Sequence, residues 1–160
     1  MTEIEIRSFT AGDRDWLLEQ HEVHYARDEG FDASFGVLVA QILDDFLAGH
    51  DPTCERGWIA WRDGQPLGSI FCVRLTQDCA KLRLFLLTPD ARGEGLGRRM
   101  LGTCMGFARD AGYQRMQLWT HESHRAAGAL YARSGWTLNS SKPVVSFGKP
   151  NVEQHWSISL

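Results

Sequence analysis

The chain has 160 residues, of which 43% are hydrophobic and 23% charged, ordinary proportions for a globular chain able to bury a core without disulfide or metal staples. Its formal net charge of -3 argues against nucleic acid as a partner, because phosphate contacts need a basic surface. Its apolar runs fall short of the roughly 20 residues that span a bilayer, and Met1 to Glu5 shows no basic segment leading into an apolar run, so neither a membrane nor a secretory role is expected.

Ile4 to Arg7 alternates like a short strand. Thr10-Ala11-Gly12-Asp13 offers a helix start, and Trp16, Leu17, Gln20 and Val23 or His24 follow at helical spacing until Gly30. A second helix is expected from about Phe35 to Leu47, with Val39, Ile42, Leu43 and Phe46 on one face, broken by Gly49 to Pro52. Trp58 to Trp61 reads as a strand, Asp63-Gly64 as a hairpin turn, and Leu67 to Leu75 as the returning strand. A turn at Thr76 to Asp78 leads to a strand from Lys81 to Leu87, closed by Pro89. After a glycine-rich loop, the apolar spacing of Met100, Leu101, Cys104, Phe107 and Ala108 predicts a helix from Leu96 to Asp110, ended by Gly112. Met116 to Trp119 is a short strand, Arg125 to Arg133 a helix stopped by Ser134-Gly135, and Trp136 to Leu138 and His155 to Leu160 begin or form further strands. Strands that meander and then cross over through helices imply a mixed α/β sheet in a single domain over residues 1–160. The four cysteines, Cys54, Cys72, Cys79 and Cys104, show no CxxC spacing, and Cys72 and Cys104 lie in apolar segments. A reducing cytoplasm is their expected home.

The most informative segment runs from Leu84 to Arg98. A strand enters a loop with glycines at 93, 95 and 97, and the loop enters a helix. Glycine lets backbone N–H groups converge on an anion with no side chain in the way. The helix start adds free donors and partial positive charge, and Arg98 and Arg99 add formal charge. The segment reads as a pyrophosphate cradle. It is not a P-loop, which would end in Gly-Lys-Ser/Thr where this chain has Gly97-Arg98-Arg99. Nor is it the dinucleotide fingerprint, whose third glycine lies one residue further on.

Arg92-Gly93-Glu94-Gly95-Leu96-Gly97 matches R/Q-x-x-G-x-G/A and so resembles the acetyl-CoA loop of the GNAT acetyltransferases. Leu87-Thr88-Pro89 resembles that family's V-x-P strand ending. The string from His124 to Tyr131 resembles N-x-x-A-x-x-L-Y with histidine for asparagine, and Ser134-Gly135-Trp136 resembles its x-G-F. Tyr25-Ala26-Arg27, Ala80-Lys81-Leu82-Arg83, Leu118-Trp119-Thr120 and Ser146-Phe147-Gly148 look like the acetyltransferase domain that some bacterial winged-helix regulators carry at their C-terminus, without the winged-helix part.

The resemblance implies a GNAT fold, a mixed and mostly antiparallel sheet of about seven strands flanked by about four helices. It implies acetyl-CoA as co-substrate and transfer of its acetyl group to an amine by direct attack in a ternary complex. The backbone amides of Arg92, Gly93, Gly95, Gly97 and Arg98 would hold the pyrophosphate. Phe85, Leu86 and Leu87, at the end of a strand splayed from its neighbour, would bond the pantetheine arm and the thioester carbonyl. Tyr131 would protonate the leaving thiolate; the alternative role is to anchor its helix. His124 stands where the family's asparagine contacts pantetheine. The family's glutamate on the central strand is replaced by Lys81, which leaves the general base among Glu22, His24, His121 and Glu122. The opposing possibility is a non-catalytic acyl-CoA-binding module that reports to a partner.

On the acceptor side the candidates are Glu22, Tyr25, Lys81, Arg83 and His121. Arg74, Lys81 and Arg83 lie on two neighbouring strands, and alternate residues share a face, so an acceptor with an anionic group is expected; a solvent-facing or ion-paired position for these cations is the alternative. The acceptor itself, a small amine, an amino acid or a peptide N-terminus, is open, as is the choice between monomer and homodimer. His21-Glu22-Val23-His24 and His121-Glu122-Ser123-His124 repeat H-E-x-H, one residue short of the zinc-protease spacing, and no metal is expected. Trp16, Trp58, Trp61 and Trp119 read as core, and Gly102 and Gly106 as close helix–sheet packing.

Overall fold

In a computed structural model, which describes residues 3–160, seven strands form one sheet in the order β1-β2-β3-β4-β5-β7-β6. They are β1 (Glu5–Ser8), β2 (Arg56–Arg62), β3 (Gln65–Arg74), β4 (Cys79–Leu87), β5 (Arg115–His121), β6 (Thr137–Ser146) and β7 (Lys149–Ser159). Helices α1 (Arg14–Glu29), α2 (Ala33–Gly49), α3 (Leu96–Asp110) and α4 (Arg125–Arg133) complete the fold. Every strand pairing is antiparallel except β4 with β5, which the α3 crossover joins in parallel. The expected GNAT architecture is present. Among the described residues no helix is long and apolar enough to cross a membrane.

Local chemistry sets the boundaries. The Thr10–Asp13 start is one turn of 3-10 helix before α1, with the Asp13 carboxylate accepting from Thr10 N–H at 2.9 Å. Gly30 ends α1 at φ 70, a left-handed position that glycine takes without steric cost. The Asp32 carboxylate accepts from Ser34 N–H at 3.0 Å, so α2 begins two residues before the hydrophobic spacing alone suggests.

The sheet is covered on both faces, and strand alternation divides its side chains. Trp58, Ala60, Ile70, Cys72, Ala80 and Leu82 pack with Met100, Leu101 and Cys104 of α3 and Tyr131 of α4. Ile59 and Phe71 point the other way, onto Leu17 of α1 and Val39, Leu43 and Phe46 of α2. All four cysteines are buried as free thiols. Gly102 and Gly106 do not mediate close packing, because a Cβ at either position would meet nothing within 4 Å.

Two irregularities in β4 matter for the site. Its pairing with β5 stops at Lys81↔Gln117, so from Leu82 onward the two parallel strands separate. Its register with β3 shifts between Ser69 and Phe71, opposite Leu84, which sits at φ 49 and accepts a hydrogen bond from Ser69 Oγ at 2.6 Å. This is a β-bulge. Lys81 and Arg83, before it, face α1 and α2; Phe85 and Leu87, after it, pack against the α3 and α4 core. Beside the bulge, Gly68 leaves no room for a side chain, since a Cβ there would overlap Leu86 O and press on Leu87. Gly68→Ala should therefore cost about 1–3 kcal/mol, as overpacking does, read as a lower urea midpoint with an unchanged slope. An unchanged midpoint would show that the bulge relaxes freely.

Candidate functional site

Where β4 and β5 part, a cavity of about 700 Å³ runs between the two faces of the sheet. On one side it is lined by Phe85, Leu87, Arg92, Gly97, Leu130 and Tyr131, and on the other by His21, Tyr25, Phe31, Phe35, Lys81 and Arg83.

The loop at the first side is built as the sequence suggests, with one exception. Gly93 and Gly95 adopt φ 82 and φ 77, and space is open where their side chains would be. The first backbone bond of α3 runs from Arg99 N–H to Gly95 O. Among the described residues, the N–H groups of Gly93, Gly95, Gly97 and Arg98 have no protein acceptor, and they cluster at a helix start where anions are favoured. Arg92 is the exception: its N–H donates to Pro89 O at 3.3 Å, while its guanidinium reaches Asp28 at 3.5 Å. Arg92 therefore meets the cavity through its side chain. The cradle is braced from β2, where Arg62 pairs with Glu94 at 2.9 Å.

Phe85, Leu86 and Leu87 line the opening, and their strand has no partner on the β5 side there. Tyr131 is buried between Phe85, Trp136 and Trp156, with ring centroids 6.4, 5.6 and 5.9 Å away. Burial, then the neighbouring Tyr25 and Cys104, push its pKa well above the ordinary tyrosine value. Such a hydroxyl stays protonated and can serve as a proton donor.

On the α1 and α2 side the cavity holds the acceptor candidates Tyr25, Lys81, Arg83 and His121 and leaves out Glu22 and Arg74. Glu22 is exposed and lies across Gly36 of α2. Arg74 is exposed, and its backbone N–H donates to Glu55. Lys81 and Arg83 are half-buried, and burial lowers both pKa values. The Lys81 ammonium, also opposed by Arg83, is brought to about 8. Its Nζ stands 3.7 Å from the Trp119 ring centroid, a cation–π contact. Trp119 is not core: it is 36% exposed, lines the cavity, and donates through Nε1 to His155 Nδ1 at 2.7 Å, while the other nitrogen of His155 pairs with Glu153 at 3.0 Å.

The histidines separate by environment. His24 has both ring nitrogens engaged, with Gln20 and Arg27 at 2.8 Å each, so it is a poor base candidate. Glu122 is exposed and outside the cavity lining. His21 donates through Nδ1 to Leu17 O at 2.9 Å; burial holds its pKa near 4, and its Nε2 has no partner. His121 and His124 also carry buried Nε2 atoms without a hydrogen bond. Burial lowers both pKa values, against the pull of nearby carboxylates. Among the described residues no three His, Cys, Asp or Glu side chains are grouped as metal ligands. Phe31, Phe35 and Phe147 enclose this region, Phe31 lying 5.1 Å from Phe35 and 4.9 Å from Phe147 by ring centroids. Sequence reasoning missed all three, along with Glu29 and Trp119, because helical or alternating aromatics look the same whether they face a core or a cavity.

A mixed sheet that opens between two parallel strands, beside a glycine-rich helix start, defines a fold class of acyl-group transferases. The chain belongs to the Acetyltransferase (GNAT) family, whose sequence profile matches residues 14–136. Among solved structures, an acetyltransferase of the GNAT family from Staphylococcus aureus Mu50 superposes with a TM-score of 0.80 at 14% identity, covering 99% of each chain. A GNAT family acetyltransferase from Elizabethkingia anophelis with acetyl-CoA bound does so with a TM-score of 0.69 at 15% identity, covering 98% of each. At these identities the likeness establishes the fold. A 54-residue stretch is 37% identical to the mycothiol acetyltransferase of Geodermatophilus obscurus, spanning 34% of this chain and 18% of that protein.

Proposed function

We propose that this protein is an N-acetyltransferase that binds acetyl-CoA along the opening between β4 and β5 and transfers its acetyl group to an amine entering from the α1 and α2 side. The observation that carries this reading is the cavity itself. It joins the free amides after Gly93, the unpaired edge of β4 and the Tyr131 hydroxyl to an enclosed chamber on the far face. The cradle would take the pyrophosphate, and an N–H on the β4 edge would stabilise the developing oxyanion. Tyr131 would protonate the CoA sulfur as the C–S bond breaks. Thiol release from acetyl-CoA across a panel of amines tests it, and no release with any amine would overturn it.

A second reading, a coenzyme-binding module without catalysis, is favoured by the absence of a carboxylate at Lys81 and by the strings that resemble regulator-borne domains. Tight coenzyme binding with no thiol release would select it.

Lys81 and Arg83 face the chamber, so the preferred acceptor carries a carboxylate or phosphate, and polyamines are disfavoured by like charge. Catalytic efficiency should be higher for phenylalanine than for its amide. The advantage should fade as pH rises through about 8, where Lys81 loses its charge. A preference for polyamines would sink this assignment.

A further inference from the structure

The acetyl-transfer reading leaves the proton of the incoming amine unaccounted for. An amine meets water mostly as R–NH3+, and its lone pair is free only after one proton leaves. The strand position where the family's glutamate would act carries Lys81 here, and Glu22, His24 and Glu122 are outside the chamber or already engaged. That leaves the unpartnered imidazoles in the chamber, among them His121, which among the described residues has no carboxylate in contact, and His124, which does.

One pair of groups in the chamber is arranged for this task. Glu29, the last residue of α1, and His124, just before α4, bring Oε1 and Nε2 to 3.5 Å. Their side chains are only 12% and 16% exposed. No hydrogen bond joins them, and His124 Nε2 is a buried polar atom without a partner. The other nitrogen, Nδ1, lies 3.1 Å from Thr120 Oγ1. With the proton assigned to Nδ1, Thr120 accepts it, and Nε2 presents a lone pair beside a carboxylate. Two buried acceptors facing each other with no donor between them are costly unless something supplies N–H groups. Aromatic rings enclose the pair, the Tyr25 ring 4.9 Å and the Phe31 ring 6.2 Å from the His124 ring by centroids.

We infer that Glu29 and His124 form the seat of the acceptor's ammonium group and that His124 Nε2 takes its proton before attack, an inference that rests on the acetyl-transfer reading. The Glu29 carboxylate holds the positive charge in place. Burial keeps the imidazole neutral near pH 7, so its lone pair is available. The freed amine forms the C–N bond as the C–S bond breaks. The sulfur receives a proton from Tyr131, and the second proton lost by nitrogen restores that hydroxyl. The proton on His124 leaves to solvent, so each turnover releases one proton. Burial, then the charge of Glu29, raises the Tyr25 pKa to about 12, so the Tyr25 hydroxyl beside the pair stays protonated. The ionisable groups that line the same cavity include Tyr25, His24 and Asp28 from α1, Lys81 and Arg83 from β4, Arg92 from the loop, His121 from β5, Arg125 from α4 and Glu153 from β7.

The test separates the seat from the reaction. In the complex with CoA, which has no acetyl group to transfer, phenylalanine and its amine-lacking analogue 3-phenylpropionate are titrated while the side-chain 15N signals of His124 are followed. The wild type should show a saturable His124 shift with phenylalanine. Glu29→Gln should weaken phenylalanine at least about 10-fold, as loss of a charged hydrogen bond does, and leave 3-phenylpropionate unaffected. A His124 signal that phenylalanine does not move, or equal weakening of both probes, overturns the seat. In turnover, His124→Asn, which keeps a polar side chain where the family's asparagine stands, should lower kcat about 100-fold or more. It should also lose the acidic limb of the kcat/KM profile and recover with an aminooxy acceptor that is already neutral at pH 7. A wild-type kcat and pH profile in His124→Asn overturns the proton step. A wild type that shows the His124 shift yet acetylates no amine keeps the seat and removes the acetyl-transfer reading together with the proton step.

Discussion

Tyr131→Phe should bind acetyl-CoA as tightly as the wild type and transfer its acetyl group about 100-fold more slowly or worse, the usual range when an acid–base group is removed. The binding expectation follows from shape. The ring packs among Phe85, Trp136 and Trp156, and phenylalanine keeps those contacts. The rate expectation follows from electrostatics. The hydroxyl lines the cavity and is held protonated by burial, so its removal leaves the departing thiolate without a donor there. Single-turnover measurements with preformed acetyl-CoA complex isolate the chemical step. Equal single-turnover rates in the two proteins would return Tyr131 to a packing role.

Gly95→Val should remain folded and lose most of its affinity for acetyl-CoA. Gly95 precedes the first turn of α3 at φ 77, where an L-residue costs roughly 1–2 kcal/mol, less than the about 5–15 kcal/mol that keeps a typical domain folded. A Cβ there meets nothing within 4 Å, so a valine is admitted by the protein and stands where the anion should approach. Each charged hydrogen bond lost should weaken binding roughly 10- to 100-fold. Gly95→Asn separates the causes, because asparagine tolerates the left-handed backbone while still adding bulk. Calorimetry showing wild-type affinity in a folded Gly95→Val protein would place the cradle elsewhere.

Most elements and the glycine-rich strand-to-helix junction were legible in the sequence because each rests on local chemistry, namely turn glycines, a capping aspartate and apolar spacing. By contrast β6 and β7, expected at 136–138 and 155–160, extend into a long hairpin over Thr137–Ser146 and Lys149–Ser159 that the alternation did not show. Helices α3 and α4 fall on the residues their spacing predicts. The far chamber was not legible, because its walls come from segments remote in sequence. Glu29 and His124 meet across about 95 residues, a proximity that no periodicity encodes. Arg74 lies outside the chamber for a related reason: strand proximity groups it with Lys81, but Val73 pairs with Lys81 while Arg74 pairs with Ala80, so alternation puts Arg74 on the opposite face. Trp119 was assigned to the core because alternation marks a face without saying whether that face is filled by protein or left open to a ligand.

The left-handed residue at Leu84 changes the parity of its strand. Before it, odd-numbered side chains, Lys81 and Arg83, face the cavity on the α1 and α2 side; after it, odd-numbered side chains, Phe85 and Leu87, pack toward α3 and α4. One nine-residue strand thus equips two chambers with opposite chemistries, cationic and apolar. In an unbroken strand the same residues would put Phe85 and Leu87 beside the two cations and turn Leu84 toward α3. Substitution can vary either half of β4 separately, whereas a single-residue insertion or deletion beyond the bulge would turn every later side chain of the strand to the opposite face and so refurnish both rooms at once.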